Sequence, residues 1–386
     1  MIDSYVPEYL KIKNRKLIFD LFLEHKELAR SQLAAMTRMS FPTVSKSVDF
    51  LLSRGILAEE TEPDKGSAGP GRKRRKLVFN SSAYCALAIN FEGQIIEIGF
   101  IDLSGNVLTY ERHECSDFMD PRSQKKLGAM IRNLLATPPS QVLGVCLAFP
   151  SNINLLTNEI VSFQSIGGGI DQPIAIESAL APLFSEFSAN VYIENDVNLA
   201  AKGEMMLRAA LEKRCNLCYL TLGSGFGSGI ILNGELWAGA GFRAGEIGNM
   251  VLHSVDFSQP VESQIRPLEQ SINIAALNAR FGVNLVDNAD VDDHVKDEMV
   301  DFILPVLCPA LFNATYLLDI DEYILSGFIP EVLGARLGMN VEARVNEMLR
   351  GRGRRIRVSA PTSPYSTLVG AASMVFEKTI LDGLQD

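Results

Sequence analysis

The sequence predicts an α/β body in two lobes, preceded by a small winged helix-turn-helix unit. Three observations predict it. Charge divides the chain: residues 1–80 hold 15 Lys and Arg against 10 Asp and Glu, whereas the remainder holds 21 against 36. Apolar residues at helical spacing fill the first 54 positions, then give way from Tyr84 to short apolar runs alternating with helical stretches. The length, 386 residues, suffices for two or three domains with their own cores.

Composition excludes several classes. With 47% hydrophobic and 21% charged residues, the chain reads as an ordinary globular protein. No run of about 18 apolar residues suggests a membrane span. The N-terminus lacks an apolar signal core, so the expected location is cytoplasmic. The six cysteines mostly sit in apolar runs and read as buried thiols of a reducing compartment. Cys215 and Cys218 form one C-x-x-C without a second pair or a nearby His, which is not a zinc pattern.

In the N-terminal part, Leu17, Ile18, Leu21 and Phe22 give a first helix over Asn14–His25. Ser31 is a candidate cap for a second short helix with Leu33, Ala34 and Met36. Ser40 is a candidate cap for a third, running to Arg54 with Pro42 in its first turn and Gly55 after its end. Val44, Val48, Leu51 and Leu52 share its inner face, leaving Pro42, Thr43, Lys46 and Asp49 outward. Such a third helix is the reader of a major groove, with Ser40, Pro42, Thr43, Ser45 and Lys46 nearest the bases and phosphates. A plain three-helix packing unit has the same pattern. Ile56–Glu60 and Leu77–Phe79 would make a wing. Between them a Gly/Pro-rich stretch leads into five consecutive cations, Arg72, Lys73, Arg74, Arg75 and Lys76, which no core accommodates. They suit phosphates or a narrow minor groove, and equally a solubilising linker. The expected polyanion is double-stranded DNA.

In the body, strands are expected at 86–91, 95–103, 107–110, 142–149, 191–193, 218–222 and 229–232. Helices are expected at 123–135, 174–184, 199–211, 295–318, 331–349 and 367–379. Three constellations carry chemistry. The first is Thr221–Gly229, a glycine-rich loop between strands; it suits phosphate and also suits a tight hairpin. The second is Glu194-Asn195-Asp196-Val197-Asn198, at a strand end just before a helix, where a carboxylate and an amide can grip sugar hydroxyls or cap the helix. The third is Gly239–Gly248, where Glu246 stands among glycines.

The order of these blocks, with Leu220–Leu236 and Ala244-Gly245-Glu246-Ile247-Gly248 the most specific, resembles the ROK family of repressors and sugar kinases over residues 14–375. The resemblance implies an actin-like (ribonuclease H-like) fold, two α/β lobes around a sugar cleft, here behind a winged helix. It assigns Asn195, Asp196, Glu246 and Glu269 to the sugar, with Gly167 and Gly168 matching a glycine pair beside it. In kinases of the family the residue matching Asp196 is the catalytic base. It also implies a homodimer or dimer of dimers.

Two departures weigh against catalysis. The ATP-phosphate loop of the kinases is matched by Asn90-Phe91-Glu92-Gly93-Gln94, which lacks its Asp and hydroxyl and gains a carboxylate. Asn249 stands where the family has His, and no cysteine lies between Cys218 and Cys308, so no zinc is expected. The expected protein is a sugar-responsive, DNA-binding regulator without ATP or metal cofactor. The alternative is a sugar kinase with an added DNA-binding unit. The expected units are residues 1–80, residues 81–196 with about 367–386, and residues 197–366.

Overall fold

The computed structural model describes residues 5–61, 75–115, 117–161, 163–165, 168–170, 172–208, 216–262, 264–286 and 291–382. Its N-terminal unit runs α1 (Tyr5–His25), β1 (Glu27–Leu28), α2 (Arg30–Thr37), α3 (Phe41–Ser53), β2 (Leu57–Thr61) and β3 (Arg75–Phe79). The wing pairs β2 and β3 antiparallel, and β1 adds to β3. Ile18, Phe22, Leu33, Val44, Val48, Leu51 and Ile56 have no exposed surface. Burying such side chains contributes about 1.5–3 kcal/mol each, which is how so small a unit holds together. Ser40 caps α3 by accepting from the Thr43 N–H at 3.3 Å. Ser31 does not cap α2. That helix starts at Arg30 with Ala29 at the cap position, and the Ala29 N–H donates to the Gln32 carboxamide oxygen at 2.8 Å.

The body repeats one topology twice. The first half holds β4 (Tyr84–Glu92), β5 (Ile95–Asp102), β6 (Val107–Glu114), α4 (Pro121–Ala136) and β7 (Gln141–Phe149). Short pieces follow: β8 (Ile153–Asn154), β9 (Glu159–Ile160), β10 (Phe163–Ser165), β11 (Gly168–Ile170), β12 (Ile174–Ala175), α5 (Ile176–Ala179) and α6 (Ala181–Phe184). The continuous helix expected at 174–184 is thus a strand and two short helices, split at Leu180 just before Pro182. Strand β13 (Val191–Asn195) completes a sheet of order β13-β7-β4-β5-β6. Helix α7 (Asp196–Arg208) leads into the second half.

The second half holds β14 (Leu217–Leu222), β15 (Phe226–Leu232), β16 (Glu235–Leu236), α8 (Glu269–Ile272), α9 (Ile274–Phe281), α10 (Asp293–Leu318), β17 (Glu322–Ser326), α11 (Phe328–Leu333), α12 (Ala335–Met348) and β18 (Arg357–Ser359). The single helix expected at 331–349 is broken at Gly334, whose φ is +65°. The sheet order is β16-β15-β14-β17-β18. In both sheets the first three strands form an antiparallel meander and the last two add in parallel. Such a pair of α/β halves is the actin-like arrangement. Helix α13 (Ser366–Phe376) and a π-helical turn at Glu377–Asp382 close the described chain. By length and composition α10 could cross a membrane; half of its apolar window is buried inside the protein.

Helix α7 packs on β14 and β15, and α13 packs on β4 and β7, so each half's closing helix lies on the other half's sheet. The two helices cross backbone to backbone. A Cβ at Gly203 would stand 1.8 Å from the Ser366 carbonyl oxygen, and one at Gly370 would stand 1.7 Å from that of Leu199. Neither oxygen can move without unwinding its helix. Gly370→Ala should therefore cost at least about 3 kcal/mol, read as a lower urea midpoint. Ala372→Ser, one turn-edge away, should cost much less.

Candidate ligand cleft and nucleic-acid interface

The sugar-block residues gather where the two halves meet. Asn195 ends β13 and caps α7: its Oδ1 accepts from the Asn198 N–H at 3.0 Å, and its Nδ2 donates to the Ser151 carbonyl at 3.2 Å. Buried Glu194 accepts from the Asn195 N–H at 2.8 Å and from Asn198 Nδ2 at 3.1 Å. Of the two roles weighed for this block, capping is the one Asn195 performs here. Asp196 is half-buried, and its Oδ1 accepts from the Val197 N–H at 2.8 Å. Burial raises its carboxyl to about 7 against that hydrogen bond, and the charge of Glu92 adds to the rise.

Glu246 reaches across from the second half. Its Oε1 accepts from Asn152 Nδ2 at 2.8 Å and its Oε2 from Asn249 Nδ2 at 2.7 Å. Asn152 directly follows Ser151, which accepts from Asn195. Glu269 starts α8, and its carboxylate lies 3.6 Å from where a Cβ on Gly225 would be. Asn195 and Glu246 are thus linked through Ser151 and Asn152, and Glu269 lies beside Gly248, two residues after Glu246. Gly168 sits in the β10–β11 hairpin opposite Ser165; Gly167 lies outside the described residues. Sequence reasoning missed Asn152, because nothing local distinguishes an Asn that meets a carboxylate 94 residues away.

The glycine-rich loop has a packing explanation. A Cβ on Gly227 would meet Val197 at 2.7 Å, and one on Gly229 would meet the Val197 carbonyl at 2.6 Å, so these glycines let β15 lie against α7. Glu92, at the end of β4, is raised by burial and then by Glu97 and Glu331, with Arg112 pulling the other way. Asn90 donates to Glu97 at 2.9 Å, and its buried Oδ1 has no partner. Glu92, Glu97 and Glu331 thus place like charges near one another.

Residues 249–269 do not fit a zinc site. Asn249 is spent on Glu246, and the His253 ring is 2.7 Å from the Gln264 carbonyl. Hydrogen bonds organise the segment instead. The Gln264 side chain accepts from the Asp256 N–H and donates to the Asp256 and Pro260 carbonyls. Among the described residues no group of three or more His, Cys, Asp or Glu is placed to hold a metal.

On the N-terminal unit, Ser40, Pro42 and Lys46 are exposed on α3, while Thr43 and Ser45 are half-buried. The Thr43 hydroxyl pairs with Ser40 at 2.8 Å. Phe41, 54% exposed, joins them at the helix start; an aromatic directly after a capping Ser was the available signal. Arg30 neutralises Asp49 at 2.8 Å and Glu59 at 2.9 Å, removing negative charge from this face. Arg75 also pairs with Glu59, at 2.9 Å. Arg72, Lys73 and Arg74 lie outside the described residues.

The two places are joined through a half-buried ion bridge. Glu377 pairs with Lys16 of α1 at 2.6 Å and with Lys202 of α7. Burial alone would raise Glu377, but Lys202 and Lys16 outweigh it and hold its carboxyl at about 2. Helix α7 thus begins beside Asn195 and ends its second turn against the N-terminal unit, through Glu377.

Asp196 gives a pH test. Its unfolded value is 3.8 and its folded value about 7. Between these the native state keeps a proton that the unfolded chain releases, so the group's contribution falls as pH rises through the window. Asp196→Asn should match the wild type below pH 4 and exceed it by roughly 1–3 kcal/mol at pH 8, measured by urea unfolding at both pH values.

Comparison with known proteins places the chain. Residues 86–378 match the profile of the ROK family. The xylose repressor of Bacillus spizizenii is 26% identical over 262 residues, 67% of this chain and 65% of that one, so the match spans about two thirds of that relative. The beta-glucoside kinase of Listeria monocytogenes is 29% identical over 199 residues, 49% of this chain and 66% of that one. A crystal structure of a ROK family transcriptional regulator, homolog of the E. coli MLC protein, superposes with a TM-score of 0.71 at 16% identity, covering 98% of both chains. With the profile match spanning three quarters of its length, the chain belongs to the ROK family.

Proposed function

We propose that the protein is a transcriptional repressor of carbohydrate genes, released from or locked onto its operator by a sugar in the cleft. One observation carries this reading over an enzymatic one: the helix that starts at Asn195 and Asp196 shares Glu377 with the first helix of the winged unit. A catalyst has no use for that link; a ligand-controlled DNA binder needs one. The xylose repressor and the MLC homolog lend their names to the same reading.

In this proposal Lys46, Pro42 and Phe41 enter the major groove, with Ser40, Thr43 and Ser45 behind them and the 72–76 cations on flanking phosphates. The sugar replaces the two asparagine amides on Glu246 and is also held by Asn195, Asp196 and Glu269. Because Asn152 and Glu246 come from different halves, replacing their bond changes how the halves meet. Only a difference in sugar affinity between the two arrangements is required. The operator is pseudo-palindromic and the protein a homodimer. The units are residues 1–80, 81–196 with 367–386, and 197–366. Phosphoryl transfer is not part of the proposal, since Glu92, Glu97 and Glu331 oppose a nucleotide and phosphoryl transfer depends on charge stabilisation.

The test is selection of genomic DNA fragments by the purified protein, with and without a panel of pentoses, hexoses and their phosphates. A few palindromic sites, lost or strengthened with one compound, are expected. Lys46→Ala should weaken binding to those sites by about 1–3 kcal/mol with an unchanged melting temperature. No enrichment, together with sugar-dependent ATP turnover abolished in Asp196→Asn, would establish a kinase instead.

A further inference from the structure

The first turn of α3 is apolar although the surface around it is polar. Phe41 directly follows the capping Ser40 and is 54% exposed. Pro42 beside it is also exposed and has no N–H to donate. Phe50, later on the same helix, is covered by Arg15 at 3.6 Å and Arg54 at 5.6 Å. Phe41 has no such cover among the described residues. An exposed phenyl ring leaves much of its burial free energy unused. The packing of α3 does not call for one at this position, since Val44, Val48 and Leu51 fill the inner face. The position is nevertheless held firmly. Arg38 turns the chain with a φ of +57°, and the Thr37 hydroxyl donates to the Leu33 carbonyl at 2.7 Å and accepts from the Met39 N–H at 3.3 Å.

The polar side chains around this ring are mostly occupied. The hydroxyls of Ser40 and Thr43 share a hydrogen bond at 2.8 Å, and Ser40 also accepts the Thr43 N–H at 3.3 Å. Asp49 follows Phe41 and Ser45 at intervals of four residues, so the three form one row. Its carboxylate is held by Arg30 at 2.8 Å, and Arg30 is fixed in turn by Glu59 of the wing at 2.9 Å. On this face the Ser45 hydroxyl and the Lys46 ammonium are the side-chain groups without a partner among the described residues. The leading turn therefore offers a groove two apolar rings, no carboxamide and no free carboxylate.

We infer that Phe41 selects thymine, by packing its ring on the thymine 5-methyl group in the major groove. Base edges there carry hydrogen-bond donors and acceptors, and the thymine methyl is the apolar group among them. A phenyl ring pressed on any other edge strips water from donors and acceptors and returns no hydrogen bond. Against a methyl group it buries apolar surface on both sides. Lys46, one turn on from Pro42, takes a neighbouring guanine edge or a phosphate. The basic balance of residues 1–80 supplies an attraction to DNA that is indifferent to sequence, so a choice among bases must come from groups such as Phe41. The inference presupposes the DNA-binding function proposed above and adds the base feature that one side chain reads.

Selection of sites from a random-sequence duplex pool by the full chain supplies the probe. Binding to the best site is then measured with each thymine in turn replaced by deoxyuridine, which removes the methyl group and keeps the base pair. At least one thymine position should lose about fourfold in affinity, the worth of one buried methyl carbon. In Phe41→Ala that position should become indifferent to the replacement, while other positions respond as before. Phe41→Gln should abolish the same response and serves where Phe41→Ala binds too weakly to measure. Lys46→Ala should weaken binding to the thymine and uracil forms equally. Melting curves should not move, because Phe41 lies outside the core. Selected sites in which no thymine responds, or a response equal in the wild type and the Phe41 variants, would overturn the inference and leave the repressor reading standing. A chain that selects no sites sinks both.

Discussion

The crossing of α7 and α13 is the constraint on which the rest of the molecule depends. Each helix follows the fifth strand of its half, and each covers the other half's sheet. At the crossing no side chain fits, because Gly203 and Gly370 face carbonyl oxygens under 2 Å from where a Cβ would sit. Interiors this dense transmit displacement rather than absorb it. The pair therefore behaves as one solid body between two sheets. The Asn195–Asp196 block and the Glu377 bridge are both attached to this pair.

Electrostatics sharpen that linkage. Glu377 is stabilised as an anion by two lysines from different elements, Lys16 and Lys202. Asp20, nearby on α1, is raised to about 6, chiefly by burial and then by the Glu377 charge, against Lys16 and Lys202. Two carboxylates with opposite shifts beside the same lysines mark a site where charge is nearly balanced. Removing either lysine would leave an uncompensated half-buried anion, a costly arrangement. The bridge is thus better suited to fixing one orientation of α1 than to adding net stability.

The sequence made the local features legible and left the distant ones hidden. Ser40 declared the start of α3 because capping acts within three residues. The apolar runs of β4, β7 and β14 declared buried strands. The blocks around Asn195 and Glu246 stood out by residue type, and the fold joins them through Ser151 and Asn152. By contrast, Gly203 and Gly370 looked like ordinary interior helix glycines, because their partners lie more than 160 residues away. Gly227 and Gly229 suited either a phosphate loop or a tight hairpin; β14 and β15 form the hairpin, and Val197 of α7 occupies the place a side chain on either glycine would need. In the segment after Asn249 the sequence showed only a lack of cysteines. That a single glutamine, Gln264, ties it together follows from backbone geometry that no spacing encodes.

The same contrast separates the cleft from the kinase reading. Asp196 survives with its carboxyl raised to about 7, an ionisation suited to a general base. Proton transfer is only one part of phosphoryl transfer, and the larger part is charge stabilisation. Facing Asp196, this chain has Glu92, itself raised by burial and by Glu97 and Glu331. Like charges at close range hold each other's protons rather than a phosphate. A neutral sugar offers hydroxyl donors to those same acceptors and meets no repulsion. In the proposed reading the cleft recognises a sugar rather than phosphorylating it, and Glu246, already holding two amide donors, is the group on which a sugar hydroxyl would substitute most directly.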